Sequence, residues 1–147
     1  MTLQEAISSI YLSHGLIPHE ISMLVEISEL KTYGGGATLM RQHERSSDLM
    51  IIIEGSVRIK TAHGEDIVEL GKGSVVGEIS MLDDEPRSAT VTCVGTCSVA
   101  VVPSAGLKAL FLSYPHIELA MLRNFTKALC AHVRMANLQL DDLRRHN

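Results

Sequence analysis

The apolar residues of this chain change their spacing twice, and that double change constrains the fold more than any other feature. Up to about residue 28 the period is helical. Leu3, Ala6, Ile7 and Ile10 share one face, Gly15 stands where that helix would stop, and Pro18 opens a second helix with Ile21, Leu24 and Val25 on its apolar side. Gly34-Gly35-Gly36 then breaks the pattern. From there to about Val102 the period is two: Val57 and Ile59 alternate with Ser56, Arg58 and Lys60, and Ala89, Val91 and Cys93 with Ser88, Thr90 and Thr92. His63-Gly64-Glu65-Asp66 and Gly71-Lys72-Gly73 supply turns. After Pro103 the helical period returns, with Ser104 expected to N-cap a helix to about Leu112 and Tyr114-Pro115 restarting a long one to about Leu143.

Short strands at this spacing, with no helix between most of them, predict an antiparallel arrangement and not a parallel sheet. The expected class is α+β: an antiparallel β-roll of the jelly-roll type with N-terminal helices and two C-terminal helices, the last one long. A single domain is expected over 1–147, with leading helices and a first strand in 1–33, the roll in 34–103 and C-terminal lid helices in 104–147.

A length of 147 residues at 46% hydrophobic content suits one core. The formal net charge of −4 argues against a non-specific nucleic-acid binder, which needs a basic surface. Met1 to Glu5 show no basic region leading into an apolar run, and runs such as Leu49 to Ile53 fall far short of the about 20 residues a membrane helix needs. The expectation is a cytoplasmic protein without membrane association. Cys93, Cys97 and Cys130 are an odd count in no metal-binding spacing and read as reduced packing residues. His14, His19, His43, His63, His116 and His146 are scattered, and only His43 and His63 fall in the roll, too few for the metal set of a cupin-type enzyme. No metal, no cofactor and no catalysis are expected.

One stretch, Gly77 to Val91, interrupts the strands without behaving as a mere turn. Glu78 to Leu82 can form one helical turn whose free N–H groups, behind a glycine, favour an anion. Arg87 follows just before a strand-like alternation and can return to the same anion with two parallel N–H donors. Glu78 repels an anion and suits a hydroxyl partner instead, as on a ribose beside its phosphate. The alternative is structural: Glu78 and Arg87 pair with each other, or Arg87 joins the acidic run Asp83-Asp84-Glu85.

Gly77-Glu78, a short helix, and then Pro86-Arg87-Ser88-Ala89 resemble the phosphate-binding cassette of the cyclic-nucleotide-binding domain family, found in catabolite activator-type regulators, kinase regulatory subunits and gated channels. The likeness extends from the leading helices through the Gly55-Ser56-Val57 segment to the closing helices. Val76 stands where the family usually has an aromatic or larger apolar residue, and His43 where it often has glycine, which predicts a non-glycine residue at positive φ. The resemblance implies a bound cAMP or cGMP, with cAMP favoured. Glu78 would then hold the ribose 2′-hydroxyl and Arg87 the phosphate, completed by the N–H groups of Ile79 and Ser80 and by Ser88, with Gly77 and Ala89 framing the site. Aligned without a gap from Arg87 onward, His132 falls at a purine-reading position of the family. A ligand-free module that keeps the fold is the competing reading.

On the last helix Leu122, Thr126, Leu129, Val133, Ala136, Leu140 and Leu143 step by fours and threes, the spacing of a coiled-coil seam. Met121, Phe125, Ala128, His132 and Met135 form a neighbouring stripe. One stripe can cover the roll while the other meets a second copy. A homodimer through this helix is therefore expected, against a monomer whose broad apolar face lies on the roll. Few residues follow Leu143, so direct DNA binding is not expected and the output would pass to a separate, unidentified effector protein.

Overall fold

The computed structural model describes residues 2–60 and 66–146. The expected turn residues His63, Gly64 and Glu65 lie outside the described residues. The chain opens with α1 (Leu3–Ser8), a 3-10 turn (Tyr11–Ser13) and α2 (Pro18–Ile27). Strands β1 (Glu29–Tyr33), β2 (Thr38–Met40), β3 (Leu49–Glu54), β4 (Val57–Lys60), β5 (Asp66–Leu70) and β6 (Val75–Val76) follow. Then come α3 (Glu78–Asp83), β7 (Thr90–Cys93), β8 (Cys97–Val102), α4 (Ser104–Ser113) and α5 (Pro115–Arg145). Two four-stranded sheets, ordered β1-β8-β3-β6 and β2-β7-β4-β5, are antiparallel at every pairing. This is the expected α+β roll flanked by helices.

The apolar run at Leu49 has no alternation because β3 is buried on both faces. Leu49 and Ile51 face the helices, where they join Ile7, Leu12, Leu24, Ala100, Val102, Leu107, Ile117, Met121 and Phe125. Met50 and Ile52 face the second sheet and pack with Leu39, Met40, Val57, Val76, Val91, Val99 and Val101. Cys93 and Cys97 lie in this sheet interior. Burial, with Cys97 as its neighbour, pushes the Cys93 thiol up to about 12, which keeps it an inert packing group. Val76, the small replacement noted above, is buried here and pairs with Met50.

The helical layer is pinned by polar contacts at its ends. Ile17 N–H donates to Glu20 Oε1 (3.0 Å), and Glu20 Oε2 lies 2.6 Å from His116 Nδ1 on the first turn of α5. Asn124, buried within the apolar stripe of α5, donates to the Leu12 carbonyl (2.7 Å) and the His14 carbonyl (2.9 Å), fixing the 3-10 turn against the helix. Ser104 is the first residue inside α4 and not its cap. Pro103 takes the cap position at φ −61° and ψ 134° and offers no side-chain acceptor. The acceptor comes from β3's approach instead: Ser104 N–H donates to Asp48 Oδ1 at 2.9 Å, and the Ser104 hydroxyl lies 3.0 Å from Ser47 Oγ.

Met121 and Phe125 of α5 cover the roll, while the same stripe is exposed at His132 and Met135. Every described residue from 130 to 146 is exposed, including Val133 at 59% and Leu140 at 55%. The second half of α5 therefore leaves the body with its apolar residues uncovered.

Candidate functional site

The site begins where β6 ends. Gly77 turns the chain at φ 88°, a left-handed conformation that side-chain-bearing residues adopt at a cost. A Cβ here would lie 2.7 Å from Arg87 Nη1 and 2.8 Å from the Asp48 carbonyl, so the position demands glycine for space as well as for conformation. α3 then presents Glu78 at its head, Ile79 toward solvent and Ser80 inward. The N–H groups of a helix's first turn have no acceptor within the helix.

Arg87 returns to the same place from the loop before β7. Its N–H donates to the Glu44 carbonyl (2.9 Å) and its carbonyl accepts from His43 N–H (2.8 Å), which locks its backbone to the turn between β2 and β3. That turn carries His43 at φ 71°, the non-glycine residue at positive φ expected from the sequence. Arg87 as a whole is 2% exposed. Nη1 donates to the Gly77 carbonyl at 3.2 Å, and Nη2 donates to the Asp48 carbonyl at 2.7 Å and to Ser46 Oγ at 3.3 Å. These contacts engage only part of the five-donor fork, and among the described residues the buried Nε has no acceptor. Burial lowers the guanidinium below its ordinary value, opposed by Asp48, Glu44 and Glu78.

Arg87 thus pairs with neutral oxygens. Among the described residues it forms no ion pair with Glu78 or with the acidic run. Asp83 Oδ1 accepts from Glu85 N–H (2.9 Å), and Asp84 meets Lys108 of α4 at 3.4 Å. Beside Ser46 a cleft of about 200 Å³ opens between Arg45, Ser46 and Ser47 on one side and Asp84, Glu85 and Pro86 on the other.

Glu78 is half-buried, and burial pushes its carboxyl above the usual range, opposed by its own backbone N–H, by His132 and by Arg87. Tyr11 of the 3-10 turn is pushed up to about 12, first by burial and then by the Glu78 charge. Two distant segments therefore reach Glu78 electrostatically: the 3-10 turn through Tyr11 and α5 through His132. Ser88 is exposed next to Arg87, and Ala89 is half-buried just before β7. Gly77, Glu78, Ile79, Ser80, Arg87, Ser88 and Ala89 thus lie in one segment closed by the Arg87–Gly77 contact, while His132 of α5 is exposed and acts on Glu78 only through its charge. Tyr11, Ser46 and Asp48 were not singled out in the sequence, where each is an unremarkable residue of a loop or turn. Among the described residues no group of three or more His, Cys, Asp or Glu could hold a metal ion, and no helix is long and apolar enough to cross a membrane.

The sequence pattern of the cyclic nucleotide-binding domain matches residues 30–114, more than half of the chain. The chain belongs to this family.

Family relatives share the arrangement over most of its length. A cyclic nucleotide-gated potassium channel of Mesorhizobium japonicum is 32% identical over 113 residues, spanning 77% of this chain and 31% of the channel. The cyclic AMP receptor protein of Thermus thermophilus is 28% identical over 134 residues, spanning 88% of this chain and 60% of the receptor. The crystal structure of Thermus thermophilus catabolite activator protein superposes with a TM-score of 0.77 at 28% identity, covering 90% of this chain and 62% of that one. The chain therefore spans less than two thirds of the length of these relatives.

Proposed function

We propose that this domain binds a cyclic nucleoside monophosphate between the cassette and α5, and passes the signal to a separate protein without catalysing a reaction. The observation that carries this reading is Arg87, a buried residue whose Nε finds no acceptor among the described residues. A buried donor left unmet costs about 1–3 kcal/mol, more for a charged group, and an anion at that point removes the cost. A cyclic phosphate supplies the anion, with Ser88 and the N–H groups of Ile79 and Ser80 as further donors. Glu78 accepts from the ribose 2′-hydroxyl, which suits a carboxylate held beside cationic Arg87 but not directly paired with it.

cAMP is the preferred nucleotide in this reading, by about tenfold or less, equivalent to about 1.4 kcal/mol. Ser88 carries a hydroxyl without the β-branch that would hold it toward a guanine amino group. His132 reaches the base from α5, consistent with its electrostatic reach to Glu78. The relative named as a cyclic AMP receptor supports the same choice. The seam that runs from Leu122 and half-buried Leu129 into the uncovered second half of α5, through Val133, Leu140 and Leu143, serves as the surface for a second copy of this chain.

Isothermal titration with cAMP and cGMP tests the reading. Wild type is expected to bind both. Arg87→Ala is expected to lose at least about a hundredfold in affinity, because truncating one side of a buried charge contact costs about 2–5 kcal/mol. His132→Ala should narrow the preference between the two purines. Binding unaffected by Arg87→Ala would place the phosphate elsewhere.

A further inference from the structure

The seam on α5 does not begin at Leu122. Stepping back along the same spacing reaches Leu119 and then Pro115, both exposed, so one outward stripe runs from Pro115 to Leu143. At its root, Pro115 and Glu118 close a groove of about 310 Å³ with Lys108, Phe111 and Leu112 of α4. Leu112 is 86% exposed, more than any other large apolar side chain among the described residues. The stripe therefore has a socket at one end and an uncovered stretch of helix at the other.

We propose that a second copy packs on this stripe antiparallel, so that the end of each α5 seats in the α4–α5 groove of the other. This pairing rests on the reading above that α5 meets a second copy, and adds its direction and its socket. Side-chain size selects the direction. In a parallel pair every layer faces itself, which sets Ala136 on the partner's Ala136 and Thr126 on the partner's Thr126, thin layers between bulky leucines. One antiparallel register instead sets each small residue against a large one: Ala136 on the partner's Leu119, Thr126 on the partner's Leu129, and Val133 on the partner's Leu122. The same register lays Leu140 on the partner's Pro115 and brings Leu143 to the partner's Leu112 in its groove. A parallel pair keeps Leu143 about 40 Å along the helix from either groove. Parallel order would bring Glu118 near the partner's Arg123, but an ion pair between exposed side chains contributes little. Antiparallel order also covers each protruding half of α5 with the half that the partner's body anchors.

Spin-label distances in the full chain read the direction. Cys130 is exposed whereas Cys93 and Cys97 are buried, so a nitroxide enters at Cys130 without any substitution. Cys130 lies near the middle of the antiparallel register, and its two labels should stand within about 20 Å in either order. In Cys130→Ser with Arg145→Cys, the labels should stand about 50 Å apart, against about 20 Å or less for a parallel pair. Leu112→Glu tests the socket from α4, outside the seam helix. It should raise the dimer dissociation constant at least about tenfold with an unchanged circular dichroism spectrum. A short distance at position 145, or an undiminished dimer in Leu112→Glu, overturns the antiparallel docking alone. A wild type that stays monomeric by light scattering, or a dimer whose Cys130 labels lie farther apart, overturns the second-copy reading on α5 together with it.

Discussion

Gly77 and Arg87 occupy each other's space: the glycine carbonyl accepts from Arg87 Nη1 at 3.2 Å, and the Cβ that glycine lacks would stand 2.7 Å from the same nitrogen. Conformation and recognition thus meet at one residue. Gly77→Ala is expected to destabilise the fold by at least about 1–2 kcal/mol, the cost of a side chain in the left-handed region, and to weaken nucleotide binding as Arg87 is displaced. Urea denaturation and titration of the same variant measure both. A loss of stability with full affinity retained would show that Arg87 can move without consequence.

Glu78 makes stability depend on pH in a definite direction. Its carboxyl titrates above the ordinary 4.5 in the folded protein, chiefly through burial. Between 4.5 and that raised value the folded state binds more protons than the unfolded chain, so stability of the nucleotide-free protein falls as pH rises through the window. Glu78→Gln should abolish that decline, and the stability gap between variant and wild type should widen with pH until Glu78 is fully ionised. A gap independent of pH rules out the buried carboxyl as its source. In the same variant, the affinity penalty of a 2′-deoxy cyclic nucleotide should largely vanish, since the hydroxyl then has lost its charged partner.

His43 stands at φ 71° in an exposed turn. Its backbone N–H contact to the Arg87 carbonyl needs no side chain. His43→Gly is therefore expected to stabilise the protein by about 1 kcal/mol, the relief of left-handed strain less the added entropy of the unfolded chain. Thermal or chemical denaturation reads this directly, and a destabilised variant would mean that the ring makes a contribution larger than the strain.

The uncovered half of α5 predicts a dimer. Leu129→Glu and Leu140→Glu each place a charge at a separate turn of the seam and should shift light-scattering mass from dimer to monomer while nucleotide binding remains measurable. A wild type already monomeric at high concentration ends the proposal.

Much of this was legible from residue order alone, and the reasons differ by element. The two period changes locate helices and strands because each layer buries one face, and the cassette stands out because glycine, carboxylate and arginine recur in a fixed order. His43 at positive φ followed from a departure at a single position. Ser104 lies one step inside α4 and does not cap it, because the acceptor for its amide comes from Asp48, which no local rule connects to α4. Asn124 reads as a flaw in an apolar stripe until the Leu12 and His14 carbonyls are placed against it. Tyr11 carries no local mark at all, since only the packing of the 3-10 turn brings it within reach of Glu78. Pairwise tertiary contacts of this kind leave little trace in periodicity.

The two sides of β3 have a consequence for the order in which the molecule can be assembled. The apolar interior between the sheets draws on residues from Tyr33 to Val101, whereas the helix-side core needs Ile7, Leu12 and Leu24 together with Leu107, Ile117 and Phe125. During vectorial synthesis the sandwich can close as soon as β8 has emerged, but the helix-side core in which Leu49 and Ile51 pack stays incomplete until α5 arrives. For that interval the nascent chain carries a half-dressed sheet, and the N-terminal helices wait for partners translated about a hundred residues later, so late-arriving contacts of long sequence separation set the pace of folding.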